Sequence, residues 1–279
     1  MLGGSSIFGW DVLEESLTIP RLIENMDERL EVINAGVLGY SSAQELGLYI
    51  EDIYELRPDI VICYNFWNDI FFSLQAGEEY LGVNNIYNGI EILLREYYIA
   101  DTRPIPGLML FARNLFFKTN IGKGRQVYLK DVNILHELDR VNNELKTDFS
   151  NPRIAASIKL YQKNMKIFSN ILSADGIKFI VILQPELNRK KKITKQEWDS
   201  QRMSLPNYQE YFAPIYAHAL PVAEKYFEQE NILYLNMNEE EEFISNETTL
   251  FIDFVHNNTE GNKIIASIIY RYLLDNKLI

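Results

Sequence analysis

The sequence predicts an α/β fold with a parallel sheet of about five strands and helices on both faces of the sheet. Short apolar runs of strand length alternate with longer segments of helical period along most of the chain, a pattern typical of strands joined by crossover helices. The 279 residues are 47% apolar, which is enough to bury a large core. We therefore expect a single domain that covers residues 1–279.

Five apolar runs have the length of a buried strand. The predicted strands cover residues 1–3, 31–37, 59–65, 178–184 and 232–237. Because parallel strands end at the same edge of a sheet, and open α/β folds bind ligands at that edge, the residues after these runs are candidates for a functional site.

Residues 43–56 have the period of a helix between the second and third strands. Leu46, Ile50, Ile53 and Tyr54 fall on one stripe, which we expect to pack on the sheet. Pro58 then ends the helix. Further helices are predicted over residues 160–172, 208–227 and 260–274.

The segment 71–150 departs from this alternation, since it contains helical pieces at 90–98 and 108–117 but no convincing strand. We interpret it as a helical insertion after the third strand that packs over the sheet edge and forms one wall of the substrate cleft. The alternative is a segment that caps the core or makes a dimer contact.

Composition limits the partners. There are 27 Lys and Arg against 39 Asp and Glu, a net charge of −12, which opposes binding to nucleic acid or anionic lipid. No apolar stretch reaches the roughly 20 residues of a membrane-spanning helix. The oligomeric state cannot be inferred from the sequence.

The compartment also stays open. Met1 and Leu2 run directly into Gly3 without a signal sequence, and we interpret this abrupt start as a trimmed signal or anchor. Such trimming would place the protein outside the cytoplasm. The single cysteine, Cys63, lies in an apolar run, where burial is expected.

Several functional signatures are absent. The chain has no P-loop, C-x-x-C, H-E-x-x-H or G-x-S-x-G motif, which disfavours a phosphate cradle, a zinc site and a lipase of the α/β-hydrolase type. Two charge clusters, at 189–192 and 239–242, are typical of solvated turns.

Four sequence blocks carry polar or glycine residues in places suited to chemistry, three of them after predicted strands. They are Gly-Gly-Ser-Ser-Ile-Phe-Gly at 3–9, Asn-Ala-Gly-Val-Leu-Gly-Tyr-Ser-Ser at 34–42, Asn-Phe-Trp-Asn-Asp at 65–69 and Asp-Phe-Val-His at 253–256. Their order resembles the SGNH hydrolase superfamily, also called GDSL-type esterases, and in particular its Gly-Gly-Ser-x-x-Phe-Gly subgroup. The resemblance covers the chain apart from the insertion and implies a three-layer, flavodoxin-like sandwich.

The resemblance also implies roles for individual residues. Ser5 would be the nucleophile, His256 its general base and Asp253 the group that orients the imidazole, an arrangement that fits the chemistry of serine activation. The oxyanion hole would consist of the Ser5 amide, the Gly39 amide and the Asn68 side chain. Gly36 is the alternative second donor, but Gly39 falls in the turn after the strand. The other histidines, His136 and His218, have no comparable acidic partner and are expected in surface or core roles.

The chain departs from the family pattern at three positions. Gly4 replaces the aspartate of the name motif and Ile7 its threonine, and both replacements are common in the subgroup. Phe66 stands where the third block usually has glycine. We expect its side chain to narrow the acyl pocket or to shift Asn68.

The leading functional hypothesis is a serine esterase that cleaves short acyl groups, such as acetate, from a carbohydrate or another polar carrier. The mechanism implied uses an acyl-Ser5 intermediate and neither metal nor organic cofactor. Two alternatives stay open: an O-acyltransferase in polysaccharide modification, which would use the same residues, and a non-catalytic binding protein of the same fold.

Overall fold

In the computed structural model, the described residues form a parallel sheet of five strands. The strands are β1 Leu2–Gly3, β2 Ala35–Gly36, β3 Ile60–Asn65, β4 Lys178–Leu183 and β5 Leu233–Asn236. Their order across the sheet is β2-β1-β3-β4-β5, and every neighbouring pair is parallel. This is the flavodoxin-like order, and the predicted fold class is confirmed.

The structure describes residues 1–10, 12, 14–75, 149, 152–204 and 208–279. Apart from Gln75, these residues belong to one compact unit formed by Met1–Leu74 and Thr147–Ile279. Most of the predicted insertion, residues 76–148 and 150, lies outside the described residues, so its helices and its place relative to the sheet stay predictions.

Helices follow most strands. Those of the described residues are α1 Ser5–Phe8, α2 Ile19–Glu24, α3 Ser42–Leu48, α4 Trp67–Gln75, α5 Pro152–Ala174, α6 Lys195–Ser204, α7 Tyr208–Glu230, α8 Glu241–Ile244 and α9 Thr259–Asp275. Within the described part of the chain, no helix combines the length and the apolarity needed to cross a membrane.

Side chains of the central strands alternate between two packed layers. Ile180 and Ile182 of β4 join a buried cluster with Ile265 of α9 on one face, whereas Phe179 stacks on Phe168 of α5 on the other face, with 5.5 Å between ring centroids. This alternation follows from the period of two along a strand, and it makes the runs of β3 and β4 almost continuously apolar.

The predicted stripe of the helix at 43–56 is wrong. Ile50 is 53% exposed and Tyr54 39%, whereas Glu45 and Tyr49 are fully buried. Residues Tyr49–Ile53 form a π-helical turn. Because a π turn holds more residues than an α turn, the side chains after it rotate away from the stripe that a regular helix would give.

The charge cluster at 189–192 is only partly a solvated turn. Lys191 and Lys192 make exposed ion pairs, but the Lys190 side chain is fully buried and lies 2.8 Å from a carboxylate oxygen of Glu197, which is also fully buried. The same carboxylate accepts hydrogen bonds from the backbone of Leu250 (2.8 Å) and Phe251 (3.2 Å). This ion pair therefore fixes the segment that leads into residues 253–256.

Candidate active site

Ser5 is the first residue of α1 and is separated by a single residue from the end of β1 at the carboxyl edge of the sheet. Gly3 and Gly4 precede it, and a Cβ atom on Gly3 would lie 2.7 Å from the Tyr64 carbonyl oxygen. A Cβ on Gly4 would lie 2.5 Å from Nδ2 of Asn68. Gly3 therefore allows the chain to pass against the backbone of β3, and Gly4 leaves room for the Asn68 side chain.

Ser5 lies within hydrogen-bonding distance of the carboxyl-terminal histidine. Its Oγ is 2.6 Å from Nε2 of His256, and Nδ1 of the same imidazole is 2.6 Å from Oδ2 of Asp253. The second oxygen of Asp253 accepts the backbone N–H groups of Val255 and His256, both at 2.8 Å. The structure thus brings together the three residues expected to form a triad.

The environment of Asp253 favours its ionised form. Burial alone raises the pKa of Asp253, but the hydrogen bond and charge of His256 and the backbone N–H groups outweigh burial and hold this pKa below its ordinary value. A carboxylate that stays ionised at neutral pH accepts the Nδ1 proton and leaves Nε2 as the acceptor for the Ser5 hydroxyl.

Three donors suited to an oxyanion surround the same turn. Asn68 lies in the first turn of α4 and uses one amide hydrogen to reach the Tyr40 carbonyl at 2.8 Å, which leaves a second hydrogen on Nδ2. Gly39 adopts a positive φ of 73° beside Tyr40. Among the described residues, the backbone N–H groups of Ser5 and Gly39 have no hydrogen-bond acceptor.

The alternative donor, Gly36, is placed differently. Its N–H donates to the Asn34 side chain at 3.0 Å, and a Cβ on Gly36 would lie 2.2 Å from the backbone nitrogen of Phe8. Gly36 therefore serves the close packing of β2 against α1. Its N–H is therefore already engaged, and Gly39 as the second donor stays a prediction.

Comparison with solved structures identifies chains of the same fold. A lipolytic protein of the G-D-S-L family from Desulfitobacterium hafniense DCB-2 matches at 12% identity, over 97% of this chain and 95% of that one, with a TM-score of 0.50. The acetyl xylan esterase AlAXEase matches at 12% identity, over 97% and 96%, with a TM-score of 0.52. An acylhydrolase from Bacteroides fragilis NCTC 9343 matches at 14% identity, over 99% and 85%, with a TM-score of 0.50.

The chain has the fold of the GDSL-type hydrolases. No family model matches the sequence, and no curated protein matches it either. The likeness therefore rests on structure at low identity.

The departure from the GDSL pattern at Phe66 places an aromatic ring in the core. Phe66 has a positive φ of 93°, is fully buried, and packs its ring 4.7 Å from Tyr161 and 5.4 Å from Tyr216. A positive φ favours glycine because Cβ is strained there. Among the described residues the ring packs in the core, while the backbone makes the turn that starts α4, and an effect of Phe66 on the acyl pocket or on Asn68 stays a prediction.

Sequence reasoning missed a buried polar layer beside Asn68. The carboxylate of Asp69, the residue after Asn68, accepts the Ser42 backbone N–H at 3.0 Å and also the Ser42 hydroxyl. The Asn65 side chain donates to Glu45 at 2.7 Å and accepts from Tyr161 at 2.8 Å. The layer joins α3 to β3 and α4, and the only signal for it was the adjacency of Asp69 to Asn68.

Burial perturbs the acids of this layer. It raises the pKa of Asp69 to about 6, against the opposing hydrogen bonds from Ser42. It also raises the pKa of Glu45 well above its usual range, and the charge of Asp69 adds to this effect. Burial therefore favours the neutral form of the Glu45 carboxyl group.

Aromatic side chains link the remaining site elements. Trp67, which precedes Asn68, stacks on Phe254 of the Asp-Phe-Val-His block, with centroids 5.2 Å apart, and the Trp10 ring lies 6.1 Å from that of His256. His218 is exposed and stacks on Phe149, which confirms a surface role. His136 lies outside the described residues.

Proposed function

We propose that this protein is a serine esterase of the SGNH hydrolase superfamily that hydrolyses carboxylic esters through an acyl-serine intermediate. The observation that carries the proposal is the continuous chain of two 2.6 Å contacts from Ser5 Oγ through His256 to Asp253, next to the amides of Gly39 and Asn68. A serine hydroxyl needs such a base to become a nucleophile at neutral pH.

In the first half-reaction, the Ser5 oxygen attacks the ester carbonyl carbon while its proton passes to Nε2 of His256. The carbonyl oxygen becomes an anion that accepts hydrogen bonds from the N–H groups of Ser5 and Gly39 and from the Asn68 amide. Collapse of this intermediate breaks the bond to the alcohol, which leaves with the proton from His256. An acyl-Ser5 ester remains.

In the second half-reaction, His256 takes a proton from water, and the hydroxide formed attacks the acyl carbon. Collapse returns the proton to Ser5 and releases the carboxylic acid. Asp253 keeps its negative charge throughout and stabilises the imidazolium form of His256 in both steps. Neither metal nor organic cofactor takes part in the proposed cycle.

We further propose short acyl groups, above all acetate, on a carbohydrate or another polar carrier as the substrate class. The resemblance of the first block to the Gly-Gly-Ser subgroup and a fold neighbour named as an acetyl xylan esterase support testing acetylated sugars first. Transfer of the acyl group to a sugar hydroxyl instead of water would use the same acyl-Ser5 intermediate.

The decisive experiment combines a fluorophosphonate probe with a panel of esters from acetate to long-chain acids. An activated Ser5 should be labelled, and adduct mapping should place the probe on residue 5. Product analysis with and without a sugar acceptor separates hydrolysis from transfer. Absence of both labelling and turnover in the folded protein would contradict the proposal and favour a binding protein.

A further inference from the structure

Gln184 occupies the position just after β4, at the carboxyl edge of the sheet. Its side chain is buried, and its Nε2 donates to the Ser6 hydroxyl at 2.7 Å and to the Val255 carbonyl at 3.4 Å. Ser6 directly follows Ser5 in the chain, and Val255 directly precedes His256. A single amide group therefore contacts the neighbours of both reacting side chains.

The backbone of Gln184 is itself held at three points. Its N–H donates to the Asn65 carbonyl at 3.0 Å, and its carbonyl accepts from the Tyr216 hydroxyl at 2.6 Å and from Nδ2 of Asn238 at 2.9 Å. These hydrogen bonds connect the Gln184 backbone to β3, to α7 and to the residues after β5. The side-chain amide of Gln184 is therefore attached to a backbone that its hydrogen bonds hold in place.

We propose that Gln184 is a positioning residue that sets the distance between Ser5 and His256. The inference rests on the proposed esterase function. Ser5 sits on α1 and His256 on a loop 251 residues away, so each needs an independent support if their separation is to suit proton transfer. Misplacement of reacting groups by about 1 Å costs on the order of 100-fold in rate.

The main test is Gln184→Met, which keeps the length of the side chain and removes both donated hydrogen bonds. We expect kcat for a small activated acetate ester to fall about 10- to 100-fold while KM changes less than about threefold, because the lost contacts act on alignment and not on substrate binding. Fluorophosphonate labelling should slow in parallel. An unchanged kcat in the folded variant would overturn the proposal.

Gln162→Met is the matched control. The Gln162 amide also donates to a backbone carbonyl, that of Val222 at 3.3 Å, but this contact joins α5 to α7. The control should keep its kcat, and a comparable loss there would contradict a positioning role for Gln184.

Ser6→Ala supplies a second, milder variant that removes only one of the two contacts. We expect a kcat about 3- to 10-fold below that of the wild type, and no further loss when Ser6→Ala is added to Gln184→Met, because both changes remove the same hydrogen bond. Strictly multiplicative losses would show that the two residues act independently and would overturn the proposal.

One measurement separates this inference from the proposed function. In ¹⁵N-histidine-labelled protein, the His256 imidazole can be assigned among only three histidines with a His256→Gln sample. Gln184→Met should shift the His256 signals whether or not the wild type turns over esters. If the wild type hydrolyses no ester but Gln184→Met still shifts the His256 signals, only the proposed esterase function is refuted. If Gln184→Met leaves the His256 signals unshifted, the positioning role of Gln184 is refuted.

Discussion

Two adjacent serines follow the first strand, and their side chains have different surroundings. Ser5 Oγ lies against His256, whereas Ser6 Oγ accepts from Gln184 and is buried. Ser5→Ala should abolish fluorophosphonate labelling and lower ester hydrolysis by at least about 1,000-fold, because the nucleophile is lost. Ser6→Ala should cost far less. The reverse ranking of the two variants in a steady-state assay would contradict the assignment of the nucleophile.

A methyl group at residue 4 would test the oxyanion donor. Gly4→Ala brings a Cβ to 2.5 Å from Nδ2 of Asn68, so the amide must move away from the Ser5 turn. Because removal of one oxyanion donor typically costs about 100- to 1,000-fold, we expect kcat to fall by about 10-fold or more.

Gly47 provides the matched glycine for this experiment. It lies within α3, and a Cβ there would meet open space. Gly47→Ala should leave kcat unchanged and raise helix stability by up to about 1 kcal/mol. If Gly4→Ala also left kcat unchanged, Asn68 would not be the donor.

Single residues also show what the sequence could reveal. Ser5, Asp253 and His256 could be named because their types and order match a known pattern, and the structure places them in contact. Glu45, Asp69 and Gln184 could not, because a buried polar side chain is recognised by its partners, and those partners are distant in the chain.

At the scale of elements, the buried carboxyl group of Asp69 joins α4 to α3 and has a raised pKa. Burial raises the pKa of Asp69 from its ordinary 3.8 to about 6, so between about pH 4 and pH 6 the folded state binds more protons than the unfolded state. The contribution of this group to stability is therefore present in full below about pH 4 and lost as the pH rises through 6.

Denaturant unfolding across this range should show the effect. In the wild type, we expect the free energy of unfolding to fall by at most about 2–3 kcal/mol between about pH 4 and pH 6. This fall should be absent in Asp69→Asn, because the asparagine side chain cannot ionise. Parallel pH curves for the wild type and the variant would show that Asp69 does not titrate there.

The buried ion pair between Lys190 and Glu197 is the second link between elements. Glu197→Gln removes the charge that compensates Lys190 and weakens the contacts to Leu250 and Phe251. Breaking such a buried pair costs about 3–5 kcal/mol, which chemical denaturation should detect. Lys191→Met, at an exposed pair, should leave stability unchanged, and equal effects in the two variants would contradict this distinction.

Elements differ in how far they could be predicted. Strands β3, β4 and β5 were found within about two residues, because buried parallel strands are continuous apolar runs. Helix α6, Lys195–Ser204, was missed since its residues are mostly polar and form no apolar stripe. The stripe at 43–56 was assigned to the wrong residues for two reasons: α3 buries the polar residues Ser42, Gln44 and Glu45, and the π-helical turn that follows it cannot be recognised from hydrophobic period.

At the scale of the whole molecule, the proposed mechanism makes the reaction depend on protons and not on metal ions. Hydrolysis should decline as the pH is lowered, because only a neutral imidazole can accept the Ser5 proton. Treatment with EDTA should leave the rate unchanged. An EDTA-treated enzyme that regains activity only with a divalent ion would contradict the mechanism.

The contact between Ser5 and His256 also ties chemistry to biosynthesis. The five strands of the described residues end at Asn236, and His256, the base for the nucleophile, follows only after them in the chain. A product that ended anywhere between the last strand and residue 256 would keep the strands and lack the chemistry. Ester cleavage would therefore separate chains that extend through residue 256 from chains truncated before it.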